Sequence, residues 1–446
     1  MRWKWFMLMV LLEGAIAGVQ PQPHVLTWQA AVLRAIGYNP ALQIQQIDVQ
    51  LQRYQTQKTL SLFLPVLQYQ NINLRNIELP EFVFKIGNLE QRFRVGTPYN
   101  ITHSLQLNWT VFAGGARWWG WRAQRHLQQA LAQNAEGKTA ETILAVLNAY
   151  YSVLLSEQMV VLQKQLLQVA QQQLARARQF AMAGTVTGLD TLQARAQYFT
   201  AKSELTAARH RQLLALQNLK LLLNYPPQDT VVLLDSLQII PVLPPDFPLN
   251  PDSLRHMALR MRPELRASAE TVVALGNQVK ATYGKFAPTI VFNASVDHQA
   301  QVETLFPAAT DYTRVKRATL TIQIPLLEGA RRIIDVQEAR ARQRQAQIQY
   351  QWLQRQLILE VDQAYLAYLE IQQKLPALTV ARQQAAEALR QARLSFDEGV
   401  VTQLEVLTAQ MQLKQTTLRW LQGVFDYNMA QFRLLKATGQ LHRMFQ

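Results

Sequence analysis

The sequence predicts a mostly α-helical chain with a membrane β segment, built from two internal repeats. Three observations carry this. Sequence landmarks recur at a fixed distance, period-two alternation interrupts the helical pattern at matching points, and a helical pattern with almost no breakers then runs for more than sixty residues. Phe112-Ala113-Gly114-Gly115 returns as Leu327-Glu328-Gly329-Ala330, and Gly184-Thr185-Val186-Thr187-Gly188-Leu189-Asp190 returns as Gly399-Val400-Val401-Thr402-Gln403-Leu404-Glu405, both 215 residues later. Pro40 and Pro65 return as Pro263 and Pro288, 223 residues later, so the first copy carries 8 extra residues between Pro65 and Gly114. A unit of this length is a duplicated half-molecule, not a solenoid repeat.

Composition narrows the class. The 446 residues include no Cys, which excludes a disulfide framework, a thiol nucleophile and a Cys-based metal site. Residues 1–17 read as a secretory signal: Arg2 and Lys4, an apolar run from Phe6 to Leu12, then Ala15-Ile16-Ala17. No Cys comes after it, so lipidation there is excluded. No later stretch has the ~18 uninterrupted apolar residues of a membrane helix, so an exported chain is either soluble or crosses a bilayer as strands. The net charge of +15 is spread along the chain without a patch interleaved with aromatics, and no nucleic-acid partner is expected.

Each copy opens with a helix, Thr27 to Leu62 and Ser253 to Lys285, with Asp252-Ser253 as the expected cap of the second and Pro65 and Pro288 as stops. The period then changes. Ser104 to Thr110 and Thr319 to Ile324 alternate polar and apolar, as does Thr289 to Asp297 with one lapse at Val291; Val66 to Asn71 is weaker. Each copy thus has two strands, in hairpins at about 65–112 and 288–327, joined by polar loops at about 76–100 and 299–314. One face carries Leu, Ile, Phe and Trp, the other Ser, Thr, Asn and Gln. Trp109, Phe112, Trp118, Trp119 and Trp121 gather where the strands end, as in the aromatic girdle of a membrane barrel.

Long helices come next, at 116–183 and 330–396, the second broken only by Pro376; at ~1.5 Å per residue each would reach ~100 Å. Tips at 184–188 and 397–402 lead into return helices, 188–224 and 402–438. Leu404, Met411, Leu418, Phe425 and Phe432 recur every seven residues, a coiled-coil seam with Lys414 and Asn428 as polar exceptions. The first repeat thus covers 18–224 and the second 251–446, with a Pro-rich linker at 225–250 whose Val231-Val232-Leu233-Leu234 suits a short strand. Four strands cannot close a transmembrane barrel, and open edges in lipid are forbidden, so several copies must assemble.

The ordered landmarks, Gly37-Tyr38-Asn39-Pro40-Ala41-Leu42, the Phe-x-Gly-Gly turn at 112–115, the tip glycines with an acidic residue six later, Thr191 to Tyr198 and Val406 to Gln410, resemble the TolC family of outer-membrane efflux proteins over essentially the whole mature chain. The resemblance implies a homotrimer: a 12-stranded outer-membrane β-barrel in lipid, continued by a long α-helical barrel through the periplasm. It implies the exit duct of a tripartite efflux pump, passively conducting substrates from an inner-membrane transporter and a periplasmic adaptor (membrane fusion protein). The adaptor-docking tip would be Gly184, Thr185 and Val186 with Gly399, Val400 and Val401. Asp190 falls on a constriction aspartate of the family. Phe396 and Val401 stand where that gate can use Tyr and Arg, so the polar lock is not carried over; packing of Phe396 would close the tip, with Asp190 and Glu405 lining the bore. Both acids also suit the first turn of a helix.

Catalytic motifs are missing, and neither an enzyme activity nor a cofactor is expected. Glu136-Gly137-Lys138-Thr139 resembles the end of a phosphate loop, but Ala132 stands where its first glycine must be, and the segment reads as helix. The His and Met residues form no metal-binding cluster. Two other readings share parts of the pattern. An outer-membrane component of type I protein secretion has the same architecture, and a soluble periplasmic coiled-coil adaptor or scaffold would explain the helices but not the strands.

Overall fold

The computed structural model describes residues 24–445 apart from 88, 184–187, 327 and 399. The expected signal sequence at 1–17 and the tip residues Gly184, Thr185, Val186 and Gly399 lie outside the described residues. In chain order the elements are β1 (His24–Leu26), α1 (Trp28–Tyr38), α2 (Pro40–Ser61), β2 (Val66–Arg75), β3 (Glu81–Ile86), β4 (Leu89–Arg94), β5 (Tyr99–Ala113), α3 (Ala116–Met182) and α4 (Gly188–Leu222). Then come β6 (Val231–Leu233), α5 (Pro251–Met261), α6 (Pro263–Gly284), β7 (Thr289–Val302), β8 (Tyr312–Gln323), α7 (Arg331–Asp397) and α8 (Gln403–Ala437). The repeat is strict in its helices. α3 and α7 have 67 residues each and α4 and α8 have 35, and each second member starts 215 residues after the first. α2 and α6 have 22 residues each, 223 apart.

Several expectations need correction. The opening helices are not continuous. Asn39 (ψ 124°) and Arg262 (ψ 120°) are extended, because a residue before proline is pushed out of the α region, and Pro40 and Pro263 then start new helices. The second begins at Pro251, capped by the Asn250 side chain on the Asp252 amide, not by Asp252-Ser253. Pro376 does not break α7. Ile371 and Leu375 are buried beside it, and Gly423 of α8 comes so close that an added Cβ would lie 2.7 Å from Leu378 Cδ1, so packing holds the helix across the missing hydrogen bond. The 76–100 loop contains a hairpin, β3 on β4, whose aromatic and β-branched run Phe82-Val83-Phe84 suits a strand. The Lys138 region is helix throughout, and Lys138 pairs with Glu141 at 2.9 Å.

The chain forms two compact units, each drawing on both repeats. The unit of Ile47–Asn134 and Glu264–Leu353 holds an antiparallel sheet in the order β2-β5-β7-β8. Its central pair, β5 on β7, joins the hairpin of one repeat to that of the other, leaving β2 and β8 as edges.

The other unit holds the main core: Ile143, Val146, Leu147, Tyr150, Val153 and Leu154 of α3, recurring at helical spacing, packed with Leu219, Val361, Val424, Met429, Phe432 and Leu435. Among the described residues only α3 is long and apolar enough to cross a membrane, but half of its most apolar window is buried in the protein. Linker strand β6 pairs in parallel with β1. Asp235 accepts the Trp28 amide at 2.9 Å, capping α1 from outside, and the Tyr150 hydroxyl at 2.7 Å. Burial, then the Asp235 carboxylate, pushes the Tyr150 hydroxyl far up, so it stays a donor. The extended backbone after β6 belongs to no sheet. Its polar groups are met by two side chains of α8: Asn428 takes the Ile240 amide and donates to Gln238 O, and Gln431 takes the Val242 amide at 2.9 Å and donates to Ile240 O.

Candidate functional site

Register sorts the four-stranded sheet into two faces, because directly paired residues share a side. On one, Gln106 lies between Gln68 and Ser295, Ser104 between Gln70 and Asp297, and Asn108 pairs with Asn293, which pairs with Thr319. Asp297 is the anchor. It is buried, accepts from the Ser104 hydroxyl and from the Ser295 hydroxyl at 3.0 Å, and has Arg317 at 3.9 Å. This face is a hydrogen-bonded polar wall that can line water.

The opposite face carries Leu67, Leu105, Trp109, Phe112, Leu320 and Ile322, all exposed. Burial of exposed apolar area is worth roughly 25 cal/mol per Å², so the face calls for an apolar neighbour. The apolar run of this side is interrupted at one row, where Asn71, His103, His298 and Arg314 are directly paired, and on β8 one row sooner, at Lys316 opposite Val296. The Tyr69 hydroxyl lies 2.7 Å from His103 Nδ1 and the Tyr312 hydroxyl 3.3 Å from Nε2, which fixes the ring on this side.

The strands give way to α3 through a tight turn. Gly114 (φ +60°) and Gly115 (φ +74°) are left-handed, and a Cβ on Gly114 would sit 2.0 Å from Gly284 O, so no side chain fits there. The expected girdle residues divide at this turn. Trp109 donates to Phe63 O at 2.9 Å, and Phe112 comes just past a bulge after Thr110. Trp118 and Trp121 pack together with centroids 5.1 Å apart, while Trp119 lies under the Lys280 ammonium at 4.4 Å.

At the helical end, Asp190 is exposed in the first turn of α4, and Phe396 is half-buried in the last turn of α7. Val400 is exposed and its amide donates to Ser395 O at 2.8 Å; Val401 is half-buried. Glu405 accepts the Thr402 amide at 3.0 Å, closing a capping box at the start of α8, so its carboxylate serves its own helix. Lys414, one polar exception of the heptad seam, pairs with Glu204 of α4 at 2.6 Å. The Asp297 cluster and the His103 row are not foreseen from the sequence, although a lone acid within an alternating polar face is a usable signal.

The sequence profile described as outer membrane efflux protein matches residues 31–225 and 254–440, one segment in each repeat. The outer membrane efflux protein BepC of Brucella suis is 25% identical over 366 residues, 79% of this chain and 76% of that protein. The alkaline protease secretion protein AprF of Pseudomonas aeruginosa is 24% identical over 327 residues, 72% of this chain and 66% of that protein. The solved CmeC outer membrane channel of Campylobacter jejuni superposes with a TM-score of 0.77 over 93% of this chain and 86% of that one; at 16% identity this is a likeness of fold.

Proposed function

The chain belongs to the outer membrane efflux protein family, a channel of the Gram-negative outer membrane extending into the periplasm, and from that premise we propose that it is the exit duct of a tripartite pump, working as a homotrimer. The observation that carries the reading is the four-stranded sheet with one apolar exposed face, one polar hydrogen-bonded face and two unpaired edges. Unpaired strand amides in hydrocarbon cost several kcal/mol each, so β8 of one copy must pair with β2 of the next. Three copies give twelve strands. The apolar face meets outer-membrane lipid, with Trp109, Phe112, Trp118, Trp119 and Trp121 at its helical edge, and the polar face lines the bore.

The internal repeat supplies the register of the joint between copies. Within the chain Asn108 pairs with Asn293. Carried over at the two repeat offsets, 215 and 223, this sets Gln323 opposite Gln70 of the next copy. In this Cys-free chain, Gln70→Cys with Gln323→Cys is expected to give oxidised trimers on non-reducing gels, and neither single variant does. Absence of the cross-link together with monomeric, detergent-independent behaviour overturns the reading.

The helical tip is the inner end. Gly184, Thr185, Val186, Gly399, Val400 and Val401 form the proposed contact with a periplasmic adaptor, which links the duct to an inner-membrane transporter. Asp190 and Phe396 constrict the opening, and Glu405 supports it by holding the start of its helix. Asp190→Ala should raise single-channel conductance in planar bilayers; an unchanged conductance removes Asp190 from the gate. Likeness to a protease secretion protein supports a second reading, export of a polypeptide from an ABC-type transporter. Co-purification with a resistance-type transporter or with an ABC transporter separates the two.

A further inference from the structure

The row that interrupts the apolar face offers a site of its own. On β8 the exposed side runs Ile322, Leu320, Ala318 and then turns cationic at Lys316 and Arg314, both exposed. These two stand about 7 Å apart along the strand at ~3.4 Å per residue. Among the described residues no carboxylate pairs with either, whereas the next cation, Arg317, lies on the opposite face near Asp297. His298 is the direct partner of Arg314, and His103 pairs with His298 in turn. Tyr312 holds His103 from the edge. The corresponding positions of the first repeat, 215 residues earlier, are Tyr99 and Ile101, so the cations belong to one strand per chain.

Two unpaired cations facing the bilayer are costly unless anions meet them. The strand ends at this row are those remote from the Gly114–Gly115 turn, where the helices begin, so with periplasmic helices they stand in the outer leaflet. That leaflet presents phosphorylated glycolipid. Guanidinium and ammonium groups suit its phosphates, and imidazole, amide and phenol groups suit its sugar hydroxyls. We propose that Arg314 and Lys316, flanked by His298 and Tyr312, bind the phosphates of lipid A on the outer face of the sheet. This rests on the reading that the apolar face meets lipid.

The test uses the full mature chain, purified assembled in detergent and titrated with bis-phosphorylated lipid A, the same lipid without phosphates, and phosphatidylglycerol, with bound lipid read by native mass spectrometry. Arg314→Gln with Lys316→Gln is expected to weaken bis-phosphorylated lipid A at least fivefold, while Arg317→Gln stays within twofold of the parent. Arg314→Lys with Lys316→Arg should restore binding. Equal binding by the double variant, indifference to removal of the phosphates, an equal loss in Arg317→Gln, or phosphatidylglycerol binding as tight as lipid A each overturns the site. Heat-modifiable migration of the same samples separates this from the duct itself. A parent that is monomeric without detergent refutes the duct, whereas an assembled double variant with unchanged lipid binding refutes only the site.

Discussion

α4 and α8 hold the same place in the two repeats and meet opposite fates. α8 buries fourteen residues, among them Phe425, Met429, Phe432 and Leu435. α4 buries five and leaves Leu213, Leu214 and Leu221 at 55%, 69% and 72% exposure. The cause lies in the segment after β6: the 238–243 backbone is clamped onto α8 by Asn428 and Gln431, while the residues of α4 at the same repeat positions are Leu213 and Leu216. A duplicated chain need not use its copies alike. One has turned its apolar residues inward under a covering strap, and the other keeps them outward, where a second molecule can use them.

That contrast can be broken in order of expected effect. Leu214→Glu with Leu221→Glu should abolish the proposed trimer yet leave helical circular dichroism unchanged, giving monomers by light scattering. Leu435→Glu, at 1% exposure, should instead prevent folding, since an unpaired buried charge costs several kcal/mol. If both behave alike, the two helices do not differ as described. Gln431→Leu orphans the Val242 amide and Ile240 carbonyl, each worth about 1–3 kcal/mol; thermal unfolding should fall clearly, and an unchanged midpoint would show that the strap is held otherwise.

A third prediction concerns pH. Burial pushes the Glu360 carboxyl up, but Arg262 and Lys436, at 3.1 and 2.9 Å, outweigh it and hold the folded group below its ordinary range. A lowered folded pKa gives stability that is present above the unfolded value, about 4.3, and lost as pH falls through the folded one. Glu360→Gln should therefore destabilise at pH 7 and flatten the acid limb of the unfolding curve; the first repeat has Ala145 at this place and no such dependence. The smallest effect is Gly423→Ala, whose new methyl meets the mobile end of Leu378 and should cost about 1 kcal/mol by calorimetry.

Much of the fold is legible locally. Helix ends, the repeat offsets and the strand alternation are properties of neighbouring residues, so α3, α4, α7 and α8 fall within a residue or two of their expected bounds. The breaks at Asn39 and Arg262 obey a local rule that long periodicity masks. Pro376 shows the reverse, a local rule overruled by the contact with Gly423. Asn428 and Lys414 are visible as intruders in an apolar seam, but their reasons, Gln238 O and Glu204, lie 190 and 210 residues away. The Arg314 row needs the register of all four strands. At the tip, Glu405 is legible as a helix cap, whereas a gating role depends on neighbours that one chain does not contain.

The pairing of β5 with β7 has a kinetic consequence. In any closed ring of these chains every second hairpin-to-hairpin closure is made within one polypeptide, β5 to β7, at the effective concentration a tether provides, on the order of millimolar. Dilution can slow only the remaining closures. A chain cut between α4 and α5 would make every closure a meeting of separate partners, and its yield of rings should depend far more steeply on protein concentration than that of the uncut one.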